Sequence, residues 1–162
     1  MEIVKFPHPA LLTPCKTVTA FGPELKVILD SMYDTMLKAG GIGLAANQVN
    51  LNLNMFVMQS EAKEKVYLVN PKIVRFSYNL SSLKEGCLSM PGERLTTGNR
   101  HEWVLVEYQD ENGVLDTDMF YDIYAVCVQH EMDHLLGKPF FQSDSVPRNK
   151  RKELCKRWGI KY

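Results

Sequence analysis

Between Ile123 and Leu136 the apolar residues return at helical spacing, and the same run contains His130-Glu131-Met132-Asp133-His134. Residues four apart lie on one face of a helix, one turn apart, so two imidazoles can grip a single metal ion. Glu131 follows the first histidine and can face the space beside that ion, within reach of a water proton. Val126, Cys127 and Leu135 make the helix apolar enough to be buried, and two histidines in a buried helix need partners. The remainder of the chain must therefore wrap this helix. A charged, solvent-facing helix that matches H-E-x-x-H by chance is the plain alternative.

The flanking sequence suits such a wrapping. Pro7, Pro9, Pro14 and Pro23 rule out a long helix over residues 1 to 23 and suggest an extended wrap. From Glu24 to Ala39, Leu25, Ile28, Leu29, Met32, Met36 and Leu37 recur at helical spacing, and Gly40 and Gly41 end the helix. Strand-like runs follow at Met55 to Met58, Val66 to Val69 and Lys72 to Phe76. Val104, Val106 and Tyr108 alternate toward one face, Asp110 to Gly113 reads as a hairpin turn, and a partner strand returns from Val114. Gly137 is the expected helix C-cap, and a last short helix is expected to begin near Pro147. This order predicts an α+β fold with antiparallel β-sheets packed around a central metal-binding helix.

With 162 residues, 45% hydrophobic and 23% charged, the chain fits one globular domain over 1–162. A short basic C-terminal tail starts at about 143. Nineteen basic and nineteen acidic residues cancel, which argues against DNA or membrane as a partner. No apolar stretch approaches the roughly 20 residues needed to span a bilayer. The segment Met1 to Phe6 does not read as a signal peptide. The cysteines Cys15, Cys87, Cys127 and Cys155 are scattered, as in a reducing, cytoplasmic protein.

A catalytic ion of this kind takes a third protein ligand and keeps a position for water. Glu153 lies at a tolerable distance but within the basic run Arg151-Lys152-Glu153. Cys87, in the polar turn Glu85-Gly86-Cys87-Leu88-Ser89, is the better candidate, because a nearby dication favours its thiolate. Taken alone, a cysteine there is more often a small buried residue. A third segment, Gly41-Ile42-Gly43-Leu44-Ala45-Ala46-Asn47-Gln48, allows close backbone approach and ends on an amide donor. Three readings stay open on these residues. One is a metal-dependent hydrolase, the second a general metallopeptidase that does not require Cys87. The third is a structural metal site in an RNA-binding module, which would need four protein ligands and no Glu131.

The three segments, in this order, resemble the peptide deformylase family, which carries a G-x-G-x-A-A-x-Q loop, an E-G-C-L-S turn and a Q-H-E-x-D-H-L-x-G helix. They stand here as Gly41 to Gln48, Glu85 to Ser89 and Gln129 to Gly137, and weaker similarity runs from about Phe6 to Phe141. The resemblance implies removal of the formyl group from the N-terminal formyl-methionine of newly synthesised polypeptides, releasing formate. It implies Cys87, His130 and His134 as metal ligands, Glu131 as catalytic acid and base, and Gln48 with the Leu88 N–H as oxyanion donors. The implied ion is Fe2+, with Ni2+ or Zn2+ as substitutes; one sulfur and two nitrogens alone would suggest zinc.

N-formylmethionyl peptides and nascent chains would lie along Ile42 and Gly43, with Gly86 and Arg94 on the opposite wall and Val126 and Cys127 lining the methionine pocket. Glu85 and Asp133 are candidates to support the ligands from behind or to form a plain salt bridge. The implied setting is the cytoplasm of a bacterial or virus-infected bacterial cell. Asn47 departs from the proline common in the family, and Asp122-Ile123-Tyr124 lacks the usual glycine. From Ser143 to Tyr162 seven Lys or Arg face Asp144 and Glu153, a net of +5. A solvated helix accounts for that charge; docking onto the ribosome is the sharper reading.

Overall fold

The apolar run Met55-Phe56-Val57-Met58 is buried along its whole length, which requires apolar layers on both sides of it. In the computed structural model, which describes residues 1–162, those layers are two helices. Helix α1 (Pro23–Lys38) starts with proline in its first turn and closes with Gly40 at φ 70°. Strands β1 (Gly43–Ala45), β2 (Met55–Gln59), β3 (Lys65–Phe76), β4 (Glu85–Cys87), β5 (Met90–Leu95), β6 (Trp103–Gln109) and β7 (Leu115–Tyr121) follow. Helix α2 (Asp122–Leu135) and helix α3 (Arg148–Arg157) complete the chain. Five strands form one antiparallel sheet in the order β1-β2-β3-β6-β7, and β4 pairs with β5 in a separate hairpin.

The period of two in β2 builds the core. Met55 and Val57 point toward α1, where they meet Leu29, Met32 and Met36. Phe56 and Met58 point the other way and pack with Val104, Val106, Phe120 and Val128 of β6, β7 and α2. Helix α2 thus lies buried against the sheet, as its two histidines demanded.

Two expectations change. The runs Val66 to Val69 and Lys72 to Phe76 are one strand, because Asn70 forms a bulge and does not break it. At φ 51° its side chain accepts from the Val18 N–H and donates to Val18 O and Gln109 Oε1, each at 2.9 Å. The region from about 143 is also less free than a tail. Leu154, Cys155 and Ile160 are buried in a third cluster with Phe6, Phe140, Phe141 and Cys87. Arg151 pairs with Asp144 and Arg157 with Glu93 and Glu153. No helix is long and apolar enough to cross a membrane.

Candidate active site

Helix α2 presents His130, Glu131 and His134 on its buried face, with ring centroids of the two histidines 5.0 Å apart. Cys87 ends β4 rather than sitting within a turn, and the turn itself is Leu88-Ser89. Its Sγ comes to 3.1 Å from His134 Nε2. One donor atom from each of Cys87, His130 and His134 falls within 4.8 Å of the others, all three residues buried. Glu153 is far from this role: it pairs with Lys150 and Arg157 on the exposed face of α3.

The donor set fits a cation. Glu85 Oε2 lies 2.6 Å from His130 Nδ1, which leaves Nε2 as the nitrogen His130 can offer. Burial opposes a charged His130, yet Cys87 and Glu85 outweigh it and raise its pKa to about 10. The surroundings thus favour positive charge at this spot. His134 has no such support, and burial drives its pKa well below the ordinary value. Burial likewise raises Glu131 to about 7, with the charge of His130 opposing. Its Oε2 has no hydrogen-bond partner within the chain.

Glu85 is in turn held by Arg100, through Nε at 3.0 Å and Nη2 at 2.9 Å, and by the Thr97 hydroxyl at 2.7 Å. Arg100 also donates to Asp133 Oδ2 at 2.7 Å. Glu85 and Asp133 were named from sequence; Arg100 was not. No local pattern marks it, because its partners come from β4 and α2 while it sits in the loop before β6. Gln129 fastens α2 to that loop, accepting from the His101 N–H at 2.9 Å and donating to His101 O at 3.0 Å.

Gln48 is fixed just as firmly. Its Oε1 accepts from the Ala45 N–H at 2.8 Å, and its Nε2 donates to Ser89 Oγ at 3.2 Å. The N-terminal segment joins the two loops: Val4 N–H donates to Gln48 O and Phe6 N–H to Ser89 O. Asn47, in place of proline, donates to the His134 carbonyl and so ties this loop to α2.

These pieces enclose a cleft of about 690 Å³. Ile42, Gly43 and Gln48 form one wall; Gly86, Cys87, Leu88 and Arg94 form the other; Val126, Cys127, His130 and Glu131 form the floor. His134 lies deeper and does not line it. The other residues that the resemblance assigns to metal, catalysis and substrate all line it. Gly43 is the tightest point, since a Cβ on it would fall 2.4 Å from Cys127 Sγ and 2.7 Å from Glu131 Oε1.

Residues 1–151 match the family model described as Polypeptide deformylase. Peptide deformylase 1 of Shewanella oneidensis is 39% identical over 142 residues, covering 86% of this chain and 83% of that protein. The peptide deformylase of Synechococcus elongatus, solved in complex with actinonin, superposes with a TM-score of 0.87 at 38% identity, over 99% of this chain and 86% of that one. That of Plasmodium falciparum gives 0.86 at 32% identity, over 98% and 93%.

Proposed function

The chain belongs to the polypeptide deformylase family and removes the N-terminal formyl group of newly made polypeptides, and we propose that residues 1–162 do so as one catalytic domain. The observation that carries this reading is the convergence of Cys87, His130 and His134 beside the unpartnered Oε2 of Glu131 at the floor of a cleft.

Cys87, His130 and His134 would hold one divalent ion, natively Fe2+, with Ni2+ or Zn2+ able to substitute. Bound there, the ion would supply Lewis-acid polarisation and make the attacking water more acidic. Glu131 takes a proton from the attacking water as its oxygen bonds to the formyl carbon, and returns that proton to the amine nitrogen as the C–N bond breaks, leaving formate and a free N-terminus. Gln48 Nε2 and the Leu88 N–H donate to the formyl oxygen as charge develops on it. Each well-placed donor of this kind is typically worth about 3 kcal/mol.

The N-formylmethionyl peptide lies extended along Ile42 and Gly43, beside β1, which is the edge strand of its sheet. Gly86 and Arg94 face it, and its methionine side chain rests against Val126 and Cys127. The working place is the cytoplasm of a bacterial or virus-infected bacterial cell. Of the seven cations after residue 143, Arg148, Lys152, Lys156 and Lys161 carry no ion pair, which supports docking to the ribosome through this basic C-terminal segment.

The test is formate release from a formyl-Met-Ala-Ser peptide by protein purified without oxygen and loaded with Fe2+ or Ni2+. Release that disappears in Glu131→Ala, at unchanged metal content, is the expected result. Folded, metal-loaded protein that releases no formate would refute it.

A further inference from the structure

Floor and rim of the cleft differ in charge. On the floor Glu85 is committed to Arg100 and His130, and Glu131 is buried beside His130, out of reach of the rim. At the rim stand Lys5, Lys84 and Arg94, from three separate segments, all exposed and all lining the cleft. None of the three takes part in an ion pair. Lys5 Nζ donates to the Leu88 carbonyl at 2.7 Å, which holds its charge at the turn carrying a proposed oxyanion donor. The Arg94 side chain lies against Gly86, where an added Cβ would be 3.7 Å from Nε. The rim has one carboxylate, Glu93, and it is occupied by Arg157 Nη1 at 2.5 Å and Trp158 Nε1 at 3.1 Å. A chain of zero net charge thus places three uncompensated cations around this cleft.

A formylated substrate has no N-terminal ammonium, so its charge near the cleft comes from the side chains that follow the methionine. We infer that Lys5, Lys84 and Arg94 select peptides with an acidic side chain at the second, third or fourth residue and disfavour basic ones. This inference rests on the deformylase reading. The rim cations stay solvated, so each contact with a substrate carboxylate is worth roughly 1.5- to 5-fold. Changing glutamate to lysine turns attraction into repulsion at more than one cation. The expected ratio of kcat/KM is therefore about 10-fold at low ionic strength. At 0.5 M salt, where the screening length falls to about 4 Å, it should drop below about 3-fold.

The test uses metal-loaded full-length protein and C-terminally amidated formyl-Met peptides with a single Glu, Gln or Lys at position two, three or four. Formate release is followed at 50 mM and 500 mM salt. Glu above Gln above Lys at one or more positions, with the ratio shrinking in salt, is expected. In Lys84→Glu the Glu-to-Lys ratio should fall by about 3-fold or more, and in Lys5→Gln by a smaller factor. Both are ratios within one protein, so a general loss of activity cancels. Equal rates for the three peptides at every position, or a ratio unmoved by salt and by both variants, would overturn the inference and leave deformylation intact. No formate from any peptide, the Gln series included, would overturn both.

Discussion

Arg100→Met would remove the one cation that touches both Glu85 and Asp133. Burial raises the Glu85 carboxyl, but His130 and Arg100 outweigh it and hold the group at about 2 against an ordinary 4.5. At 1.36 kcal/mol per pH unit, that difference is worth about 3 kcal/mol of folding stability. Removing one member of a buried pair typically costs roughly 3–5 kcal/mol, which is consistent. In a chain of this size each kcal/mol moves Tm by about 2–4 °C, so metal-free Arg100→Met should melt about 10 °C below the wild type at pH 7. The folded-state pKa lies below the unfolded one, so this contribution is complete above pH 4.5 and is lost as pH falls toward 2. The deficit of the variant should narrow over that interval.

The same change should weaken metal binding by about 10- to 100-fold, because Glu85 would no longer be held against His130 Nδ1. Circular dichroism melts of metal-free protein, followed by metal titration, read both effects; metal must be absent from the melts because a bound ion adds its own stabilisation. Glu85→Gln combined with Arg100→Met removes the stranded charge together with its partner. The double variant should melt above Arg100→Met alone. A single variant within about 2 °C of the wild type, or a double variant no better than the single, would refute the reasoning.

Gly43→Ala forces a methyl to within 2.4 Å of Cys127 Sγ and 2.7 Å of Glu131 Oε1, so kcat/KM for formate release should fall by about 100-fold with far-UV dichroism unchanged. In Cys87→Asp a hard oxygen replaces the thiolate, and metal preference and rate should change together; wild-type values for both would remove Cys87 from the ligand set. Asp122 opens α2 at φ 48°, a region where glycine is free of strain, so Asp122→Gly should raise Tm by about 2 °C.

The elements legible in the sequence were those set by local spacing. Helix α2 and its histidines, α1 with its closing glycines and the β6–β7 hairpin all follow from periods of 3.6 or two and from turn residues. Val66 to Val69 and Lys72 to Phe76 read as two runs in the sequence; the distant contacts of Asn70 with Val18 and Gln109 show that one strand continues through a bulge between them. The seven cations after residue 143 hid Leu154, Cys155 and Ile160, three apolar residues whose burial depends on Phe6 and Phe140 from other segments. Arg100 gave no signal at all. A buried arginine is recognisable only once the carboxylates that neutralise it have been brought together.

The two histidines carry this difference furthest. Their spacing makes them equivalent ligands on one helix face, and the fold makes them unequal. His130 is held through Nδ1 by Glu85, whose charge Arg100 balances, so its orientation depends on an electrostatic network. The Nδ1 of His134 is buried without a partner. Its ring stacks on Phe6 at 6.2 Å between centroids, and its backbone carbonyl accepts from Asn47. One ligand is aimed by charge and the other by packing. Removing the charge of Glu85 or Arg100 should therefore loosen the grip of His130, while cavity-forming changes at Phe6 or Asn47 should reach the ion through His134. A four-residue spacing determines which atoms can meet around an ion; how firmly each is held is decided by residues thirty or more positions away.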